Sequence, residues 1–393
     1  MIDQGEALAR ILAHVRPLPS RRVGLRDAVG CFAASDITAV CSLPPFDNSA
    51  MDGYAVVANT AMPGARLRVV DEQPAGRSRD LRLRAGEAIR IFTGAPLPSG
   101  ADAVIMQEDV EREGDEILLR ENVERGEFVR RLGGDVAAGQ KIVTAGERIR
   151  PETIALLAAQ GLTDVEVGGE VTAAIISTGD ELVAPGLPLQ PGQIYESNAP
   201  LLNAMLSQLG VNVVSVVHCP DQQAEIEESV RAGIAADMLI VTGGVSVGAR
   251  DLVKPALVAA GAQLELWRVA VKPGKPFLFG HAGDCSIFGL PGNPVSAFVT
   301  FLSFVRPAAL QMMGAGAAAL AMRKQTAILA AGVHNDGERA HYMRGSVEAG
   351  RFTPLPRQES HALFGLSRSN ALLLVQPHEE RGAESAVTVF TWE

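Results

Sequence analysis

The sequence predicts a multidomain α/β protein centred on a three-layer α/β/α domain with a mainly parallel sheet. From Val171 onward, apolar runs of strand length alternate with stretches of helical periodicity, the pattern of a parallel sheet covered on both faces. Four segments each follow such a strand and face a helix, which puts them at the sheet's carboxyl edge: Thr178-Gly179-Asp180-Glu181, Pro220-Asp221, Thr242-Gly243-Gly244 and Leu290-Pro291-Gly292-Asn293-Pro294. A chain of 393 residues also exceeds one ordinary core and calls for roughly two to four domains.

Taken in order, Ala7, Leu8, Ile11, Leu12 and Val15 recur at helical spacing and Pro17 ends the segment, so the chain opens on an amphipathic helix. Its apolar stripe needs a partner. A candidate is PETIALLAAQ, with Pro151 at a first helical position and Gly161 where a helix C-terminus takes a left-handed residue. Between the two, residues 46–139 break into short strand-like runs such as Leu67 to Val70, Ala88 to Phe92 and Ala103 to Met106, the mark of a small β-rich insertion. The first domain is therefore expected to be discontinuous, 1–45 plus 140–170. Within 171–315, VTAAIIS, VNVVSVVHC and DMLIVTGG read as strands. SNAPLLNAMLSQLG, closing at Gly210, then DQQAEIEESVRAGIAA and DLVKPALVAAG read as helices, with Pro255 tolerated only near a first turn. A strand pair around Val269 and Ile287 precedes the apolar run from Val295 to Val305. After the Gly/Ala tract from Met313 to Ala317, residues 316–393 hold short strand candidates and no long helical stripe, a compact β domain that gains stability by docking.

With 47% hydrophobic and 20% charged residues the chain reads as soluble and well packed. A net charge of -10 offers no field for nucleic acid, so an anionic ligand would need local lysines, backbone N–H groups or a metal ion. Cys31, Cys41, Cys219 and Cys285 are scattered without a Cys-x-x-Cys pair, which supports neither a disulfide framework nor a thiolate zinc site. The seven histidines show no metal-ligand spacing, and no Ser, Cys and His arrangement for covalent catalysis stands out. No basic region precedes an apolar core at the N-terminus, and no stretch supplies about 20 uninterrupted apolar residues, so a cytoplasmic enzyme is expected, with no membrane and no nucleic-acid partner.

The candidate chemistry lies at the strand ends. Thr242-Gly243-Gly244-Val245-Ser246-Val247-Gly248 can turn several N–H groups onto phosphate oxygens, or can simply make a tight strand-to-helix turn. Asp180, Glu181, Asp221 and Asp251 fall on neighbouring loops and would repel a nucleotide unless a hard cation such as Mg²⁺ intervened. Taken singly, Asp221 and Asp251 suit helix capping better than ligation, whereas Asp180 and Glu181, after Thr178-Gly179, point to function. Lys272-Pro273-Gly274-Lys275-Pro276 sets two lysines on a rigid turn in apolar surroundings, which favours anion binding. Pro291 to Pro294 has a fixed shape suited to lining a pocket. In the insertion, PPFDNSAMDGYA with Asp52, Thr93-Gly94-Ala95-Pro96 and Gly133-Gly134-Asp135 could each be a solvated loop on composition alone.

Together, PPFDNSAMDGYA, RIFTGAPLP, RRLGGDV, STGDEL, VTGGVSVGARD, VKPGKPF and GLPGNPVSAF resemble, in this order, the molybdopterin molybdenumtransferase family, which includes the E domain of gephyrin. The resemblance covers essentially the whole chain. It implies a helical linker domain (1–45 plus 140–170), a β-rich lid (46–139), an α/β molybdopterin-binding domain (171–315) and a C-terminal β barrel (316–393). It also implies a homodimer in which Asp52, Thr93 and Asp135 of one subunit complete the other's site. The implied reaction takes adenylylated molybdopterin and molybdate, uses Mg²⁺, and releases AMP with molybdenum cofactor. A molybdopterin adenylyltransferase is the implied partner that delivers the substrate.

Carried over by residue, Asp180, Glu181, Asp221 and Asp251 match the acidic positions of the family's pocket, with metal and nucleotide handling implied. Thr178, Gly179, Gly243, Gly244 and Ser246 lie in its matching glycine-rich segments. Lys272 and Lys275 match its lysines, and Pro291, Gly292, Asn293 and Pro294 its proline-rich loop. Arg344 and Ser360-His361 resemble segments flanking a molybdate pocket. Arg268 stands where lysine is expected, a planar fork in place of a compact donor. Two alternatives remain at this stage: an adenylyltransferase sharing the α/β domain, which the insertion and C-terminal domain argue against, and a gephyrin-like scaffold, whose signature would be a missing pocket acid or lysine.

Overall fold

The structure, a computed structural model, describes residues 2–244 and 252–392. The chain forms two compact units: Met1–Ser35 with Ala145–Arg150 and Asp164–Glu393, and Asp36–Thr144 with Pro151–Thr163.

The larger unit holds a six-stranded sheet in the order Asn212–Cys219, Thr172–Thr178, Met238–Thr242, Cys285–Leu290, Pro276–Ala282 and Gln263–Arg268. The first four strands pair in parallel and the last two pairings are antiparallel, with Pro276–Ala282 alone running against the rest, so the expected mainly parallel sheet carries an antiparallel edge. The central strands are apolar throughout because both faces are covered. Ala173, Ile175, Met238 and Ile240 face one core with helix Asn198–Leu209, while Ala174, Ile176, Leu239 and Val241 face the other with helices Gln223–Gly233 and Val253–Ala259. Gly210 closes its helix in the left-handed conformation at φ 89°.

The opening helix, Gln4–His14, caps itself through the Asp3 carboxylate, which accepts from Glu6 N at 3.0 Å. Its stripe of Ala7 and Ile11 is buried in one core with Phe301, Val305 and Leu310 of the 19-residue helix Pro294–Met312, against which the opening helix packs. The candidate partner, now seen as helix Pro151–Ala159, belongs instead to the smaller unit. Periodicity marks which face is buried and says nothing of what covers it.

The C-terminal strands close into a barrel: Ala340–Glu348, Arg351–Pro354, Arg323–Leu329, Ala386–Thr391 and Ala371–Val375, the last pairing back onto the first. Val271–Lys272 adds in parallel to Ala340–His341, fastening the barrel to the α/β layer.

The smaller unit is built on a second six-stranded sheet, Ala103–Met106, Gly53–Val56, Glu87–Ile91, Arg66–Gln73, Glu116–Leu119 and Val110–Glu113, antiparallel except for the pairing of Arg66–Gln73 with Glu87–Ile91. Gly53 is needed there, since a Cβ would sit 1.9 Å from the Ile105 carbonyl oxygen.

Candidate active site

The carboxyl ends of the parallel strands open into a cavity of about 630 Å³, a size suited to a nucleotide-sized ligand. Thr178, Gly179, Glu181, Asp221, Gly243 and Gly244 line it from the α/β layer, and Pro291 to Pro294 line it from the next loop. The glycines are there because the chain passes too close for side chains. Gly243 holds φ +86°, and a Cβ would stand 2.3 Å from the Thr178 carbonyl oxygen; at Gly244 it would stand 2.8 Å from Thr178 Oγ1.

The acids gather on one side. Asp180 Oδ1 accepts from the Asp221 N–H at 2.9 Å, tying the first strand's loop to the next. Burial pushes the Asp221 carboxyl above its ordinary range, and the neighbouring Asp180 and Glu181 carboxylates push it further. A cation placed among them would reverse that balance.

Two cavity residues were missed from sequence. Glu196 Oε1 accepts from the backbone N–H groups of Asn198 and Ala199, at 2.6 and 3.0 Å, at the start of helix Asn198–Leu209. Asn198 Nδ2 donates to Thr242 Oγ1 at 2.9 Å and to the Gly292 carbonyl at 2.8 Å, bridging two cavity loops. Their remaining oxygens, Glu196 Oε2 and Asn198 Oδ1, are buried without a partner among the described residues, as is Thr178 Oγ1. All three residues line the cavity. Buried polar atoms left unpaired are costly, so a ligand rich in hydrogen-bonding groups would satisfy them.

The barrel supplies the cavity's outer edge through His361 and Leu363. Asn293 Nδ2 donates to Ser360 Oγ at 2.9 Å, and Val295 N to the Ser360 carbonyl at 3.1 Å. Arg344 is fully buried, its guanidinium donating to the carbonyls of Ala362, Arg357 and Glu359 at 2.8, 3.0 and 3.0 Å. It shapes the loop that carries Ser360 and His361. Lys272 and Lys275 are exposed and outside the cavity lining, which takes Pro276 from their loop. Arg268 is exposed at the end of its strand. Ser246 and Asp251 lie outside the described residues.

In the smaller unit, the insertion motifs assemble among themselves. Asp52 Oδ1 accepts from Thr93 N and Thr93 Oγ1 at 2.8 and 2.9 Å, which holds its carboxyl below the usual range. Asn48–Ser49 pairs with Val129–Arg130. The loop beyond is stitched to the same segment, Gly133 N donating to the Pro44 carbonyl and Asp135 N to that of Leu43, each at 3.0 Å.

Residues 2–161 match the MoeA N-terminal region (domain I and II), residues 174–311 a probable molybdopterin binding domain, and residues 326–390 the MoeA C-terminal region (domain IV). A molybdopterin molybdenumtransferase of Haemophilus influenzae is 35% identical over 100% of this chain and 98% of its own length. The chain belongs to the molybdopterin molybdenumtransferase family. Another relative, molybdopterin molybdenumtransferase 2 of Mycobacterium tuberculosis, is 37% identical over 94% of both chains. Among solved structures, the molybdopterin biosynthesis MoeA protein of Pyrococcus horikoshii OT3 superposes with a TM-score of 0.87 at 30% identity, each chain wholly covered. As a molybdopterin molybdenumtransferase family member, the chain is an enzyme of the multidomain MoeA fold, with a molybdopterin-binding α/β domain and a closed five-stranded C-terminal barrel. The matches on both sides of the α/β domain disfavour the adenylyltransferase reading.

Proposed function

We propose that this protein transfers molybdenum from molybdate to adenylylated molybdopterin, releasing AMP and forming molybdenum cofactor. One observation carries the reading: a carboxylate cluster, glycine-opened backbone and three residues with unpartnered buried oxygens surround one cavity, in a chain whose full-length relatives are named for this transfer. Glu196 Oε2 and Asn198 Oδ1 are acceptors and select N–H groups such as a pterin or adenine ring carries. Gly243 and Gly244 let backbone approach the phosphates closely. Lys272 and Lys275, exposed on the loop that gives Pro276 to the lining, would reach in from outside the cavity to anchor the oxyanion.

The crowding at Asp221 fits a hard divalent cation. Asp180, Glu181 and Asp221, with Asp251, would hold Mg²⁺, which supplies charge neutralisation and polarises the phosphorus of the phosphoanhydride. Asp52, Thr93 and Asp135 are the insertion's contribution to the partner's site in a homodimer. A second copy also suits the edge strand Asn212–Cys219, where Val214 and Val216 are 56% and 49% exposed. A molybdopterin adenylyltransferase delivers the substrate in this reading, and the cytoplasm is the compartment. The one described helix long and apolar enough to cross a bilayer, Pro294–Met312, has 89% of its apolar window buried inside the protein.

Purified protein given adenylylated molybdopterin, Mg²⁺ and molybdate should release AMP and yield cofactor that activates a molybdenum-free apoenzyme. AMP release no faster than in a protein-free blank rejects the proposal. ATP-dependent adenylylation of free molybdopterin by the same protein would replace it with the adenylyltransferase reading.

A further inference from the structure

We propose that His14, Glu265 and His281 form a site for a borderline transition-metal cation, Zn²⁺ or a close relative. None of the three lines the cavity described above. His14 is the last residue of the opening helix, while Glu265 and His281 stand on the antiparallel edge strands Gln263–Arg268 and Pro276–Ala282. Their ligand atoms all lie within 4.8 Å of one another.

The two imidazole Nε2 atoms approach the same atom, Glu265 Oε1, at 3.6 and 3.7 Å. Ligands on a tetrahedral Zn²⁺ with bonds of about 2.0–2.1 Å are about 3.3 Å apart, so each imidazole needs to move only a few tenths of an ångström nearer Glu265, and the two imidazoles need to approach each other by no more than about 1.5 Å. His14 Nδ1 lies 2.9 Å from the Arg10 carbonyl, which can only accept, so Nδ1 donates there and Nε2 is the ring atom turned toward Glu265. This is the outer-shell bond that orients ligating histidines. Ring packing restricts the geometry further: His14 stacks on His281 at 5.7 Å between centroids and meets Phe279 edge-on at 6.0 Å. The helix C-terminus beside His14 favours positive charge. Two imidazoles and one carboxylate select Zn²⁺ over Mg²⁺ and leave a fourth position for water. The bound cation clips the opening helix to the edge of the sheet.

The test uses the full chain, stripped with chelator and returned to excess Mg²⁺, titrated with Zn²⁺ by calorimetry and with Co²⁺ by visible absorption. Wild type should bind a tight equivalent with the intense bands of tetrahedral Co²⁺ and melt at a higher temperature with Zn²⁺. His14→Ala and Glu265→Gln should weaken that equivalent more than about 100-fold and lose the Zn²⁺-dependent gain in melting temperature. Glu181→Gln should keep both, separating this site from the acidic cavity. Circular dichroism of the three variants checks that each is folded. A wild type without the tight equivalent, or one that binds no better than folded His14→Ala and Glu265→Gln, overturns the proposal and leaves two histidines sharing a surface carboxylate.

Discussion

At Asp221, burial and the charges of Asp180 and Glu181 act in the same direction, each making the ionised carboxyl harder to maintain. If that crowding exists to hold a cation, removing one acid should damage turnover before binding. Glu181→Ala is expected to lower metal-dependent AMP release by about 100-fold while changing AMP affinity far less. Measured together, equal losses in the two would point to structural damage instead. His341 offers a test of a different kind. Its imidazole is buried, its Nε2 has no partner among the described residues, and burial followed by the charges of Lys272, Arg344 and Arg339 lowers its pKa to about 4. The unfolded chain takes up a proton near pH 6.5 and the folded one does not, so this residue's penalty is absent above 6.5 and grows as pH falls toward 4. The shift corresponds to about 3 kcal/mol at its full extent. His341→Gln should therefore flatten the fall in denaturation midpoint between pH 6.5 and 4, and an unchanged slope would remove His341 as its cause.

Among the elements, the strand-to-helix turns carry the cavity, and their glycines can be told apart by what surrounds them. Gly243 and Gly192 both hold positive φ, but a Cβ on Gly192 meets open space while one on Gly243 strikes the Thr178 carbonyl. Gly192→Ala should cost about 1 kcal/mol of conformational strain. Gly243→Ala should cost about 2 kcal/mol or more and abolish AMP release. Equal denaturation midpoints for the two variants would mean that the turn relaxes freely. These turns were legible in the sequence because Gly and Pro punctuate strand ends, and the alternating strands and helices followed from periodicity alone. Glu196 and Asn198 were not. They stand at a helix start, where a polar residue already has a structural reason to be, and that reason hides their place in the cavity wall. The partner of the opening helix and the closure of Ala371–Val375 onto Ala340–Glu348 depend on long-range register, which local pattern does not encode. His14, Glu265 and His281 escaped a search by spacing for the same cause: folding, not sequence separation, brings them together.

For the whole molecule, the insertion motifs and the α/β cavity lie in different compact units, each locally ordered: Asp52 by Thr93, Asp221 by Asp180. Asp52 sits in a polar loop with its carboxyl exposed to solvent, so Asp52→Ala should abolish turnover and leave the melting temperature nearly unchanged. A large loss of stability would make its role structural. The homodimer proposal adds a stricter demand, because residues completing a site from opposite subunits can complement one another. In a mixed dimer of Asp52→Ala with Glu181→Ala subunits, one of the two sites draws Asp52 and Glu181 from unaltered copies and the other draws neither. Random exchange makes half the dimers mixed, so two inactive preparations, unfolded and refolded together, should regain about a quarter of wild-type AMP release. If both residues served the same subunit's site, no mixture would contain an intact one and activity would stay at the level of the separate variants. Recovery that rises with mixing to that fraction supports a shared site, whereas none, with mixed dimers detected by mass, ends it.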